Sequence, residues 1–186
     1  EYIMTAVEES LRRLRTDYID LYQLHGGTME DPIDETIEAF ETLKQSGKIR
    51  EYGISSIRPN VIREYVKRSN IVSVMMQYSL ADRRPEETIL SLLKENNIGL
   101  LIRGSLAQGL LVGKPAKDYL GQTAEEIKIA AEAMRKCVTA DRTVTQTAVR
   151  YVLQHPAVTS AVVGVSKVEQ LEDVAGTTAS SVLQEE

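Results

Sequence analysis

"DYIDLYQLHGG" (Asp17–Gly27) alternates apolar and polar residues, then runs into one of the chain's two histidines and a pair of glycines. Alternation over this length reads as a β-strand, and the glycines mark a tight turn after it. A strand that reads as buried has little use for an imidazole at its end, whereas a site built on a strand's carboxyl edge does. The question is whether this unit, a strand with a polar end and then a helix, recurs.

It recurs along the whole chain. Apolar runs stand at Ile19–Leu24, Glu51–Ile54, Val72–Met76, Gly99–Ile102 and Ser160–Val163. Stretches of helical period follow them, at Ile33–Gln45, Asn60–Lys67, Pro85–Asn96, Ala124–Val138 with Val144–Gln154, and Lys167–Val174. A further helical pattern (Ile3, Val7, Leu11, Leu14) precedes the first run. Strands alternating with helices predict βαβ units and a parallel sheet, with right-handed crossovers placing the helices outside. Pro59 and Pro85 suit first helical turns, and Gly47 suits a helix end. Thr123-Ala-Glu-Glu126 and Ser166-Lys-Val-Glu169 both read as capping boxes. Lys114–Gln122 is loop-like. Residues 1–176 read as one domain, and 177–186 as a mobile tail.

The strand ends share a character. They read His25-Gly26-Gly27, Ser55-Ser56, Gln77-Tyr78, Arg103-Gly104-Ser105 and Gly164-Val165-Ser166-Lys167. In parallel α/β folds this edge binds ligands. A lone histidine there is more often structural, but four other polar ends move the reading toward function. Ser166 and Lys167, ahead of a helix with free first-turn N–H groups, suit a phosphate. Ordinary helix capping would produce the same pattern.

Composition narrows the classes. At 186 residues the chain can bury a real core, and its net charge of −5 argues against nucleic acid or an anionic membrane surface. No apolar run reaches the length of a membrane span, and a cytoplasmic protein is expected. Cys137 is the single cysteine, which excludes an internal disulfide and, with two histidines, a four-ligand structural zinc site. "GLLVGKP" (Gly109–Pro115) has the wrong glycine spacing for a P-loop, and Pro115 stands where a hydroxyl should hold magnesium. No G-x-G-x-x-G or G-x-S-x-G occurs.

Five segments in order then carry a resemblance: "EESLRRLRTDYIDLYQLH" (Glu8–His25), "GKIREYGISS" (Gly47–Ser56), "MMQYSL" (Met75–Leu80), "RGSLAQGLLVGK" (Arg103–Lys114) and "VVGVSKVEQLED" (Val162–Asp173). Together they resemble the aldo-keto reductases, most of all bacterial members with "LHGGT" and "YGISSIRPNVI" segments. The resemblance implies an α/β fold, a (β/α)8 TIM barrel of which this chain supplies about five βα units. It implies NADPH as cofactor and small aldehydes or ketones as substrates. His25 matches the active-site histidine that orients and polarises the carbonyl. Ser55 and Gln77 match contacts to the nicotinamide carboxamide, with Ser56 where many members have asparagine. Arg103 stands where many place a stacking tyrosine. Gly104, Ser105, Leu106 and Gln108 match the loop under the pyrophosphate. Gly164, Ser166, Lys167, Gln170 and Asp173 match the segment around the adenosine 2′-phosphate, with Val174 replacing a common asparagine.

The family's catalytic aspartate, tyrosine and lysine belong to strands before the segment matching Glu1. The expectation is a carboxyl-terminal fragment, inactive by itself, of a reductase that needs no metal. Five strands cannot close a barrel, so two edges should stay open. A non-catalytic NADPH-binding regulatory module is the alternative. An unrelated phosphosugar isomerase or aldolase barrel would explain the rim but not the five ordered motifs. The short stretch after Lys114 suggests a modest flap over the cofactor.

Overall fold

The computed structural model describes residues 1–183. It contains five parallel strands: β1 (Ile19–His25), β2 (Ile49–Ser55), β3 (Ser73–Gln77), β4 (Gly99–Arg103) and β5 (Ser160–Val162). The helices are α1 (Tyr2–Leu14), α2 (Ile33–Gln45), α3 (Pro59–Arg68), α4 (Ile89–Glu95), α5 (Ala124–Lys136), α6 (Val144–Leu153) and α7 (Val168–Ala175). The chain divides into two compact units, Glu1–Met75 with Leu92–Gly99, and Met76–Ser91 with the chain from Leu100 onward.

In the first unit, β1 pairs with β2 in parallel from Ile19↔Ile49 to His25↔Ser55, and β2 pairs with β3 from Gly53↔Ser73 to Ser55↔Met75. Gly53 is required where β2 passes β3: a Cβ there would lie 2.3 Å from Ser73 Oγ and 2.4 Å from its carbonyl oxygen. Helix α2 ends as expected at Gly47, whose φ is +75°. The N–H groups of Gly47 and Lys48 donate back to the Lys44 and Leu43 carbonyls, the double bond of a Schellman end. The Phe40 and Tyr52 rings stack at 5.1 Å in a core with Leu43, Ile54, Ile62 and Val74. The Tyr52 hydroxyl donates to Glu41 (2.6 Å) and accepts from the Asn70 N–H (3.0 Å). Burial and the Glu41 carboxylate together push that phenol up to about 12.

Two expectations are corrected here. Strand β1 is half-buried, not buried, and Asp20 and His25 are exposed, because β1 is an edge strand paired with β2 alone. Strand β2 starts at Ile49, ahead of the expected Glu51. Next to buried Ile49 stands exposed Arg50, whose guanidinium pairs with Asp20 at 2.8 Å and lies 4.1 Å over the Tyr18 ring. An ion pair and a ring face replace the apolar signal that periodicity looks for.

In the second unit, β4 pairs with the three-residue β5 from Leu101↔Ser160 to Arg103↔Val162. Like β1, β5 is an edge strand. The single helix expected over Pro85–Asn96 is instead a 3-10 turn, Arg84–Glu87, followed by α4. Thr88 interrupts it with φ −152°. The turn is held from outside its own period: the Glu86 carboxylate accepts from Tyr78 (2.8 Å), Tyr151 (3.1 Å) and Arg83 (2.6 Å). These bonds hold Glu86 below the usual carboxylate range, with Arg83 the largest cause.

Capping also departs from expectation at one of two places. Thr123 and Glu126 form their reciprocal box at the start of α5. The box expected from Ser166 and Glu169 is not formed. Lys167 is the N-cap of α7, while the Ser166 N–H and hydroxyl donate to Gln170 Oε1 at 2.9 and 3.2 Å. Gln170, one turn on, outcompetes Glu169 for the same donors. A second box, Thr143 with Gln146, starts α6.

The stretch from 177, expected as a mobile tail, carries several bonds in its described part. Buried Arg142 donates to the carbonyls of Ser181 (2.8 Å), Val182 (3.0 Å) and Cys137 (2.6 Å). Arg150 donates to the carbonyls of Thr177 and Ser180. Residues 184–186 of that expectation lie outside the described residues. Among the described residues, no helix is long and apolar enough to cross a membrane.

Candidate functional site

The second unit holds a cavity of about 960 Å³, within the usual range for small-molecule sites. Of the residues expected at the cofactor, Gly104, Ser105, Leu106, Gln108, Gly164, Ser166, Gln170 and Asp173 line it together. They come from the ends of β4 and β5 and from α7. Lys167 is not in the lining; it is the N-cap residue of α7, with no capping bond from its side chain.

The wall after β4 is an irregular run of 3-10 turns, Ala107–Val112. Gly104, Ala107, Gln108 and Gly109 all have positive φ, of 76°, 46°, 59° and 93°. Each turn is closed locally, by Ala107 N–H to Gly104 O (2.8 Å) and Gly109 N–H to Leu106 O (2.8 Å). Ala107, Leu110 and Leu111 anchor the run in a core with Tyr119, Ile127 and Met134. The result is a fixed concave backbone.

Ser105 is 2% exposed, and its hydroxyl has no partner. A buried hydroxyl without a bond costs free energy unless something completes it. Ser79 Oγ and Thr177 Oγ1 are buried and unbonded too, and Ser105 is the one of these three that stands on the cavity wall. Lys114 supplies the cavity's positive charge. Its methylenes lie on Gly109, where a Cβ would come within 3.0 Å of them. Asp173 supplies the negative charge, and its carboxylate accepts from the Thr143 hydroxyl at 2.7 Å. Serine hydroxyls, an ammonium and turn-exposed backbone are a donor set suited to phosphate oxygens.

Gln77 and Arg103, outside this lining, belong to a second cluster in the same unit. Arg103 donates to Gln77 Oε1 at 3.0 Å. Gln77 Nε2 donates to the Tyr119 hydroxyl (3.0 Å) and to Asp82 (3.3 Å), and Asp82 is held by Arg84 through two bonds of 2.7 and 2.8 Å. Since a guanidinium only donates and a carboxylate only accepts, the two ends of the Gln77 amide are assigned by their partners. Gly104 packs against the same side chain, where a Cβ would lie 3.0 Å from Gln77 Cγ.

The first unit places His25 and Ser55 side by side across β1 and β2. His25 is exposed, and Gly26 and Gly27 follow at φ 91° and 88°, with the Gly26 N–H donating to Ser55 O at 2.8 Å. Arg58 donates to Gly27 O (3.0 Å), and the Arg58 N–H donates to Ser56 Oγ (3.2 Å). Asp31 accepts from the Thr28 N–H at 2.7 Å. Arg58, Lys114, Tyr119 and Thr143 were not singled out from the sequence. Only the Gly-Gly pair hinted that something must hold the loop after His25.

Against known proteins, the chain matches the model of the Aldo/keto reductase family over residues 1–186, and it belongs to that family. It is 55% identical to the uncharacterized oxidoreductase YqkF of Bacillus subtilis, a match covering 100% of this chain and 63% of that protein. It is 35% identical to the NADH-specific methylglyoxal reductase of Escherichia coli, over 74% of this chain and 44% of that one. Among solved structures it superposes on the holo form of the aldo-keto reductase AKR11C1 from Bacillus halodurans with a TM-score of 0.89 and 51% identity. That match covers 98% of this chain and 63% of the other. The parallel α/β fold is therefore that of the family's barrel, and the chain spans less than two thirds of the length of these relatives.

Proposed function

We propose that this chain carries the cofactor-binding part and the active-site histidine of a cytoplasmic, NADPH-dependent reductase of small aldehydes and ketones. The observation that carries the reading is the cavity: eight of the residues expected at the cofactor line it, around a buried serine hydroxyl that lacks a partner.

In this reading the Ser105 hydroxyl and the Lys114 ammonium hold the pyrophosphate over the turns after β4. Ser166 and Gln170 meet the adenosine ribose and its 2′-phosphate. They do so by exchanging the Ser166–Gln170 bonds for bonds to the ligand. In the second unit Gln77 binds the nicotinamide carboxamide, and Arg103 offers a flat cation in place of the usual aromatic ring. In the first unit Ser55 and Ser56 keep the carboxamide role that the resemblance implies for them. Bound there, the nicotinamide supplies a hydride to a carbonyl carbon. His25 holds the carbonyl oxygen by a hydrogen bond and stabilises the negative charge that grows on it.

The family's acid, its tyrosine, is not among these residues, and general acid catalysis contributes roughly 10²–10⁴-fold. The chain by itself should therefore bind NADPH without turning over. Fluorescence titration with NADPH and NADH, followed by an oxidation assay with methylglyoxal and simple aldehydes, tests both parts. The expected result is saturable quenching or enhancement of NADPH emission with no oxidation above the buffer rate. Absence of binding overturns the cofactor reading, and turnover by the chain overturns its inactivity.

A further inference from the structure

The loop Lys114–Gln122 sends one side chain, Tyr119, into the Gln77 cluster. The tip of the loop is a tight turn in which Tyr119 and Gln122 exchange both backbone bonds, at 2.9 and 3.0 Å. The two residues between them, Leu120 and Gly121, have φ of 52° and 88°, the pattern of a rigid two-residue hairpin turn. Asp118 accepts the Ala124 N–H at 2.9 Å, which ties the loop to the start of α5. The Tyr119 ring is buried in the cluster of Ala107, Leu110 and Ile127, and burial is the largest cause of its raised pKa. The raised pKa keeps the hydroxyl a neutral hydrogen-bonding group around neutral pH.

The bond inventory of Gln77 shows what that hydroxyl does. Both Nε2 hydrogens have acceptors, Tyr119 at 3.0 Å and Asp82 at 3.3 Å. Oε1 takes one bond, from Arg103 at 3.0 Å, and keeps its second lone pair. Gln77 is therefore held as a pure acceptor toward anything that approaches it. The Asp82 contact is long for a hydrogen bond, so Tyr119 is the better of the two restraints on the amide end.

We propose that Tyr119 is a positioning residue, which docks the 114–122 loop onto Gln77 and thereby fixes the Gln77 carbonyl to accept the amide N–H of a nicotinamide carboxamide. The proposal rests on the cofactor reading above. Docking of the loop and orientation of Gln77 are then one event, and the loop contributes to selectivity for the amide at the nicotinamide end without touching it.

The test is Tyr119→Phe, which keeps the buried ring and removes only the hydroxyl. Three probes are titrated against wild type and variant: NADP⁺, its 3-acetylpyridine analogue, in which a methyl group replaces the amide nitrogen, and 2′,5′-ADP, which has no nicotinamide. The expected result is binding of NADP⁺ weakened about fivefold, the change that corresponds to one ordinary hydrogen bond. Binding of the acetylpyridine analogue and of 2′,5′-ADP should stay unchanged. On a Gln77→Ala background, Tyr119→Phe should have no further effect on NADP⁺. Equal weakening of all three probes, or no weakening of NADP⁺, overturns the proposal. If wild type binds 2′,5′-ADP but neither nicotinamide probe, the carboxamide role is wrong while the adenosine end stands. If it binds none, the cofactor reading fails and takes the proposal with it.

Discussion

The two units hold their backbones in different ways. In the first, strands supply most of the partners: β1 and β2 share a register of seven residues, Ile19–His25 against Ile49–Ser55, over a core in which Phe40 stacks on Tyr52. In the second, β5 has three residues, and much of the remaining chain is irregular. There side chains add to the helices and turns in holding particular stretches of backbone. Arg142 and Arg150 take five carbonyls between them, from Cys137, Ser181, Val182, Thr177 and Ser180. Threonine boxes start α5 and α6. The cavity lies in that second unit. The difference has a physical basis. Chain that joins no strand ladder must find its bonds elsewhere. The cavity wall closes on its own turns, and the segments around Cys137 and from Thr177 to Val182 use Arg142 and Arg150.

The contrast can be broken from either side. The largest effect is expected from Gly53→Ala, because a Cβ 2.3–2.4 Å from Ser73 cannot be accommodated without parting β2 from β3. The expected loss is about 3 kcal/mol in urea unfolding. A loss under about 0.5 kcal/mol, within the range of a neutral surface change, would mean that strand pairing is not what holds the first unit.

Arg142→Met should come next. It keeps the apolar stem and strips the donors from the Cys137, Ser181 and Val182 carbonyls, at an expected cost of about 2 kcal/mol. Hydrogen exchange supplies the sharper reading. The Ser181 N–H, which donates to Asp141 at 3.1 Å, should exchange faster while amides of β2 keep their protection. Equal acceleration in β2 would erase the distinction between the units.

The smallest effect is the share of Tyr52 in an alkaline pH dependence to which the raised phenols of Tyr65, Tyr78, Tyr119 and Tyr151 also contribute. An unfolded tyrosine ionises near its ordinary value of 10, whereas Tyr52 does so at about 12. The unfolded state therefore loses its proton first, and the stability that Tyr52 contributes below pH 10 is lost as pH rises toward about 12. Tyr52→Phe should lower stability by about 1 kcal/mol at neutral pH and flatten that alkaline decline. Urea midpoints for both proteins across this range check it, and parallel curves would assign the decline to other tyrosines.

Much of the fold was legible because its signals are local. Helix α2 matches its apolar period residue for residue, Ile33–Gln45, and Gly47 marks its end because only glycine takes φ +75° there at no cost. Polar strand residues were not legible. Arg50 sits in β2 because Asp20 and Tyr18 receive it, and neither is near it in sequence. At the candidate site, the order of five short motifs led to the family and to the cavity-lining residues. The partners that hold those residues stayed hidden. Nothing in "AKDYLGQT" (Ala116–Thr123) announces that Tyr119 bonds to a glutamine 42 positions earlier.

By itself the sequence determined the alternation of strands and helices, the polar character of every strand end and the family these add up to, since period and turn chemistry act over a few residues. Only the tertiary structure decided that Ser166 bonds to Gln170 and leaves Glu169, that Lys167 is the N-cap of α7 outside the cavity lining, and that Gln77 spends both Nε2 hydrogens on Tyr119 and Asp82. Those outcomes are settled by competition among hydrogen-bond partners, and a competition is decided by which groups the fold brings within about 3 Å of one another.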